Sequence, residues 1–146
     1  AQVPPDALIL ESGYRTLADG INSHPLSIPI RLFPPLKRYM FARMINRWDS
    51  VSQIPFVRGP ILVLHGENDW KIPFDQANSL VDVARAHRAT PDSSAQDPVS
   101  ANLPDQGVFL SLLADSGHSN IQSSPNYYCE IAKFIRLIET TAQASR

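Results

Sequence analysis

The chain has 146 residues, 43% of them hydrophobic, with a formal net charge of −1 and a sequence pI of about 6.5. That suffices for one domain burying roughly 68–70% of its unfolded surface, and it lacks the basic excess of a nucleic-acid binder, so no nucleic-acid partner is expected. One cysteine, Cys129, excludes an internal disulfide and a cysteine-rich zinc site. No apolar run reaches the ~18 residues of a spanning helix, so the expectation is a soluble or membrane-peripheral chain.

The first predicted element is a strand over Ala7–Glu11, which begins so early that the chain reads as if it started inside a domain. Residues 20–48 follow with five cations (Arg31, Lys37, Arg38, Arg43, Arg47), no Asp or Glu before Asp49, and interleaved Ile28, Leu32, Phe33, Leu36 and Phe41. Four prolines break this stretch into short pieces. A second strand spans Pro60–His65, and an amphipathic helix over Phe74–His87 places Phe74, Ala77, Leu80, Val81 and Ala84 on one face, with Pro73 at its start. Residues 89–107, polar and without apolar periodicity, read as a surface loop. Val108–Ala114 is the third strand, and Pro125 to about Thr141 is a final helix with the stripe Tyr128, Ile131, Ile135, Ile138. Short, continuously apolar strands alternating with helices indicate an α/β fold with a parallel sheet covered on both faces.

Two strands stop at polar turns that carry chemistry. After the second comes His65-Gly66-Glu67-Asn68-Asp69-Trp70-Lys71-Ile72-Pro73, which sets the Asp69 carboxylate at the carboxyl end of a parallel strand, the edge where open α/β sheets bind ligands. After the third comes Asp115-Ser116-Gly117-His118-Ser119-Asn120. A histidine there can act as base and then as acid, and an aspartate can fix its tautomer and stabilise the imidazolium. The plainer alternatives are an Asn-Asp turn chosen for its backbone and a solvent-exposed loop histidine. Glu67 and Asp115 are possible substitute acids, and Trp70 is either a pocket wall or a surface aromatic. His24, His65 and His87 read as structural, His65 as packing at a strand end. No histidine pair has metal-ligand spacing, so neither metal nor cofactor is expected.

A nucleophile is missing from this arrangement. The elbow G-x-S-x-G needs two glycines four apart around a serine, and none of Gly13, Gly20, Gly59, Gly66, Gly107 and Gly117 has such a partner. Ser12 and Ser116 each precede a glycine but have no strand-to-helix elbow around them.

On Pro4–Ser12, Ser23-His24-Pro25 with Arg31-Leu32-Phe33-Pro34, Pro60–Pro73 and Gly117-His118, the chain resembles the C-terminal half of a serine α/β-hydrolase. Within that superfamily it is most similar to the branch containing the monoacylglycerol and lysophosphatidylserine lipases. The resemblance implies strands six to eight of the fold with flanking helices, residues 1–146 forming the C-terminal portion of one domain, and a lid-like insertion over 20–55. It also implies cleavage of an ester, namely a lipid ester such as a monoacylglycerol or lysophospholipid, with Asp69 and His118 as triad acid and histidine. The expected partners are the ester or lipid substrate, a membrane surface touched through residues 20–48, and the N-terminal half of the same domain, which would bring the nucleophile. The competing expectation is a non-catalytic α/β module that binds an apolar ligand or a protein.

Overall fold

The structure, a computed structural model, describes residues 6–24, 27–43, 49–90 and 97–145, and at 30, 31, 40 and 41 it describes the backbone alone. The expected features at Pro4, Pro5, Pro25, 44–48 and 91–96 lie outside the described residues. Three strands, β1 (Leu8–Glu11), β2 (Ile61–Gly66) and β3 (Val108–Leu113), form a parallel sheet in the order β1-β2-β3. Leu8 pairs with Ile61 and Ile61 with Val108, so the carboxyl ends of all three strands lie along one edge. All six residues of the central strand β2 are buried, which explains why its sequence is continuously apolar instead of alternating.

Each face of the sheet is covered by one long helix. Ile61 and Val63 point to α5 (Phe74–Arg88) and pack with Ala77, Leu80, Val81 and Ala84, while Leu62 and Leu64 point to α7 (Tyr127–Ala144) and pack with Tyr127 and Phe134. The alternation is the period-two direction of strand side chains, and each fully buried Val, Leu or Ile contributes about 1.5–3 kcal/mol. The apolar stripe of α7 is turned from its predicted phase. Tyr127 and Phe134 are buried and Ile131 and Ile138 pack beside them, whereas Tyr128 and Ile135 are 73% and 46% exposed. The doublets Tyr127-Tyr128 and Phe134-Ile135 satisfy a 3.6-residue period in either phase, and only the sheet decides between them.

Between β1 and β2 the described residues form the short α-helices α1 (Leu17–Ser23), α2 (Ile28–Leu32), α3 (Pro34–Arg43) and α4 (Ser50–Gln53). Thr16 caps α1 by accepting from the Asp19 N–H, and Gln76 on α5 ties α1 down through Ser23 Oγ at 2.6 Å. The pair α2–α3 instead leaves Ile28, Leu32, Phe33, Leu36 and Tyr39 exposed.

Residues 89–107, expected as a polar surface loop, are anchored over the part that is described. A short helix α6 (Pro98–Ala101) is capped by Asp97, Ser100 is fully buried with Oγ donating to the Arg58 carbonyl, and Leu103 is 5% exposed. The cause is Arg88, the last residue of α5. Its buried guanidinium donates to the carbonyls of Gln106, Val57 and Gly59 at 2.5, 3.0 and 2.6 Å. Burial lowers its pKa and Asp97 acts in the opposite sense. A buried cation is tolerated only when its donors are used, and these carbonyls draw two chain segments together. Asp105, Gln106 and Gly107 take positive φ (50°, 57° and 73°) to present them.

Candidate active site

The site is made by two turns that lock together at the carboxyl edge of the sheet. Leaving β2, Glu67 N–H donates to the Leu113 carbonyl (2.9 Å) and Asn68 N–H to the Ser116 carbonyl (2.8 Å). Leaving β3, Asp115 turns the chain with φ 55°, Ser116 Oγ donates back to the Leu113 carbonyl (2.9 Å), and Asn120 Oδ1 accepts from the Gly117 N–H (2.8 Å). Two glycines make this approach feasible. A Cβ on Gly66 would sit 2.6 Å from the Ser116 carbonyl oxygen, and one on Gly117 would lie 3.2 Å from the Asn68 carbonyl oxygen. The first distance is backbone against backbone, so no side-chain adjustment relieves it.

Within that frame Asp69 and His118, 49 residues apart in sequence, are neighbours. His118 Nδ1 lies 3.1 Å from Asp69 Oδ2, the Asp69 side chain is fully buried, and the His118 side chain is one-third exposed. The other carboxylate oxygen, Oδ1, accepts the backbone N–H groups of Lys71 (3.0 Å) and Ile72 (2.9 Å). Two backbone donors and one imidazole donor favour a charged carboxylate in a buried position. Nδ1 of His118 is therefore the protonated nitrogen of the neutral ring, which leaves Nε2 with a lone pair at the more exposed end. The arrangement can accept a proton at Nε2, hold the resulting imidazolium against a fixed negative charge, and release the proton again.

The alternative acids do not reach this histidine. Glu67 and Asp115 are exposed, and neither makes an ion pair with His118. Trp70 is 64% exposed, with the His24 ring 5.9 Å away on one side and Lys71 Nζ 5.7 Å from its ring centre; Lys71 Nζ also donates to Ser119 Oγ at 3.2 Å. The Lys71–Ser119 bond links the acid turn to the residue after His118. Ser116 Oγ is committed to a backbone carbonyl, and Ser12, buried with φ 44°, follows β1 and donates its N–H to the Leu64 carbonyl. Among the described residues no group of three or more His, Cys, Asp or Glu side chains could hold a metal ion. A shallow groove on α3, lined by Pro34, Pro35, Arg38, Tyr39 and Ala42, contains neither Asp69 nor His118.

Two features escaped the sequence reading. Glu11, at the end of β1, accepts a short hydrogen bond from the Tyr127 hydroxyl at the start of α7, and that bond, with burial, pushes the Tyr127 pKa up to about 12. A carboxylate ending an apolar strand was the available signal. His65, read as packing, is fully buried and sits against the acid turn, with Nε2 3.9 Å from Asp69 Oδ2 and its ring edge-on to Phe74. Burial lowers its pKa, opposed by Asp69.

Lysophosphatidylserine lipase ABHD12 of Rattus norvegicus is 30% identical to the chain over 147 residues, covering 97% of the chain and 34% of the relative. The same-named protein of Danio rerio is 32% identical over 112 residues, covering 73% and 29%. In solved structures the fold matches the acylaminoacyl peptidase of Pyrococcus horikoshii, with a TM-score of 0.53 at 15% identity over 92% of the chain and 19% of the peptidase. The chain belongs to the α/β-hydrolases. Its three parallel strands and flanking helices correspond to the C-terminal part of that fold. The chain spans about a third of the length of the curated relatives it matches. Protein ABHD12B of Homo sapiens is more distant, 28% identical over 87 residues, covering 56% of the chain and 24% of that protein. No family model matches the chain.

Proposed function

We propose that the chain supplies the acid and the histidine of a serine hydrolase that cleaves a lipid ester. The observation that carries this reading is the 3.1 Å contact between His118 Nδ1 and a fully buried Asp69 carboxylate already held by two backbone donors. In the reaction, His118 Nε2 takes the proton of a serine hydroxyl as the serine oxygen bonds to the ester carbonyl carbon. It then delivers that proton to the alcohol oxygen as the ester C–O bond breaks, and water repeats the sequence to release the acid. Asp69 stays ionised throughout. The nucleophile and the oxyanion donors come from residues outside this chain, on a strand that pairs with the edge of β1 that no described strand covers.

A lipid ester is favoured by the relatives, which are named lysophosphatidylserine lipases. It is also favoured by residues 20–48, which we read as a lid resting against an anionic membrane surface. Ile28, Leu32, Phe33, Leu36 and Tyr39 are exposed there alongside Arg38 and Arg43, the latter 4.6 Å from the Tyr39 ring. The test is to express the complete reading frame that encodes this chain and assay lysophosphatidylserine, a monoacylglycerol and a short soluble ester. Hydrolysis of the lipids that disappears in His118→Ala is expected. A purified, folded product that hydrolyses none of the three would refute the assignment.

A further inference from the structure

The Asp69 carboxylate lies between two imidazoles, and only one of them has a role in the reaction proposed above. His118 binds Oδ2 from the exposed side. His65 approaches the same oxygen from the buried side but is too far for a hydrogen bond at 3.9 Å, and its Nε2 instead meets the Ile72 carbonyl at 3.0 Å. A carbonyl can only accept, so Nε2 carries the proton. Nδ1 meets no protein hydrogen-bond partner among the described residues and is fully buried, so a second proton there would be stranded away from any acceptor. The geometry thus selects the neutral Nε2–H tautomer.

That bond spans the acid turn from its first residue to its last. Ile72, 5% exposed, is held from both sides: its carbonyl by the His65 ring and its N–H by Asp69 Oδ1 at 2.9 Å. The Asp69 N–H in turn donates to the Gly66 carbonyl at 3.1 Å. Any drift of the Ile72 peptide therefore drags the carboxylate with it. An apolar side chain of similar size would fill the space but leave the buried Ile72 carbonyl without its donor, and a charged histidine would compete with His118 for Oδ2. We propose that His65 is a positioning residue, a neutral imidazole whose Nε2–H braces the Gly66–Ile72 turn through the Ile72 peptide and leaves the Asp69 carboxylate to His118. This rests on the reading of Asp69 and His118 as acid and histidine; the brace itself does not.

The experiment combines two substitutions with two readouts. His65→Phe keeps the ring volume without the donor, and His65→Gln places an amide N–H near the position of Nε2. In the product of the complete reading frame, labelled with 15N-histidine, His65 should read as the neutral Nε2–H tautomer from pH 5.5 to 8. The slowly exchanging Nδ1–H of His118 should be present in the parent, lost in a folded His65→Phe and restored in His65→Gln. In the complete reading frame, kcat on the soluble ester should fall about tenfold in His65→Phe, with KM within about twofold, and recover in His65→Gln, as expected when a reacting group is slightly misplaced. The proposal is overturned if His65 reads as Nδ1–H or titrates in that range. It is equally overturned if folded His65→Phe keeps both the His118 signal and kcat, or if folded His65→Gln behaves like His65→Phe. Should His65→Phe not fold, the glutamine variant alone decides, since a folded chain lacking the His118 signal contradicts the brace. If no form hydrolyses an ester, the proposed function fails while the histidine spectra still judge His65.

Discussion

The edge that carries Asp69 and His118 and the helical pair α2–α3 are held in opposite ways. At the edge, the turn after β2 is closed by backbone hydrogen bonds to β3 and the turn that follows it, and the contact is so close that Gly66 leaves no room for a side chain and Gly117 little. At α2–α3, five large apolar side chains face outward and no described element covers them, while the preceding helix α1 is tied to α5 through Ser23 and Gln76. Chemistry that needs sub-ångström placement sits on the first kind of construction, while the second kind suits contact with a variable, apolar surface.

Breaking the rigid side should have the largest effect. Gly66→Ala pushes a Cβ against the Ser116 backbone, so one of the two turns must move. The expected outcome is a stability loss of about 1–3 kcal/mol, read by urea denaturation, and a turnover loss of about a hundredfold in the complete reading frame. An unchanged melt and rate would show that the turns are looser than their contact distance implies. On the other side, replacing Lys37, Arg38 and Arg43 by Gln should leave hydrolysis of a short soluble ester intact and weaken binding to anionic vesicles. At about half of the ~1 kcal/mol that a Lys or Arg at a bilayer surface contributes, three charges amount to about a tenfold loss. An equal loss on neutral vesicles, or a parallel loss on the soluble ester, would remove the membrane from the account.

Smaller effects come from pH. His65 is neutral in the folded chain and its pKa is lowered by burial, so below its ordinary value of about 6.5 the unfolded chain takes up a proton that the folded chain refuses. Stability should therefore fall as pH drops below that value, and His65→Phe should flatten the slope. Tyr127 works in the opposite range. Its pKa is pushed up to about 12, so the unfolded chain loses the phenol proton first and stability should fall as pH rises from about 10 to 12. Tyr127→Phe should reduce that alkaline loss, leaving the part that comes from Tyr14, whose pKa burial also raises. Both are read as melting temperature against pH, and a flat profile for the parent would contradict the burial assigned to His65 and the Glu11 hydrogen bond assigned to Tyr127.

The same contrast explains what could be read from the sequence. The three strands, their parallel α/β arrangement and the helix after the acid turn were legible because Ile61–Leu64 is continuously apolar and Ala77–Ala84 keeps a helical spacing. The meeting of Asp69 with His118 was legible because each follows a strand at a glycine-bearing turn. Longer-range features were not. The phase of α7 depends on which residue of two apolar doublets meets the sheet, and the anchoring of 97–107 depends on Arg88, a charged residue that a local reading assigns to the surface. His65 looked like packing because its hydrogen bond goes to a backbone carbonyl, which leaves no trace in residue types. For 20–48, composition pointed to the surface, and what covers α2–α3 is set by groups beyond this sheet.

The most direct test of the central claim is a double-mutant cycle on Asp69 and His118 in the complete reading frame, measuring kcat/KM on a soluble ester with circular dichroism to establish that each variant is folded. If the two side chains act as one unit, Asp69→Asn and His118→Ala should each lower kcat/KM by roughly 10⁴-fold, and the double variant should be little worse than either. Losses that multiply, or a single variant that retains parental activity, would contradict the account.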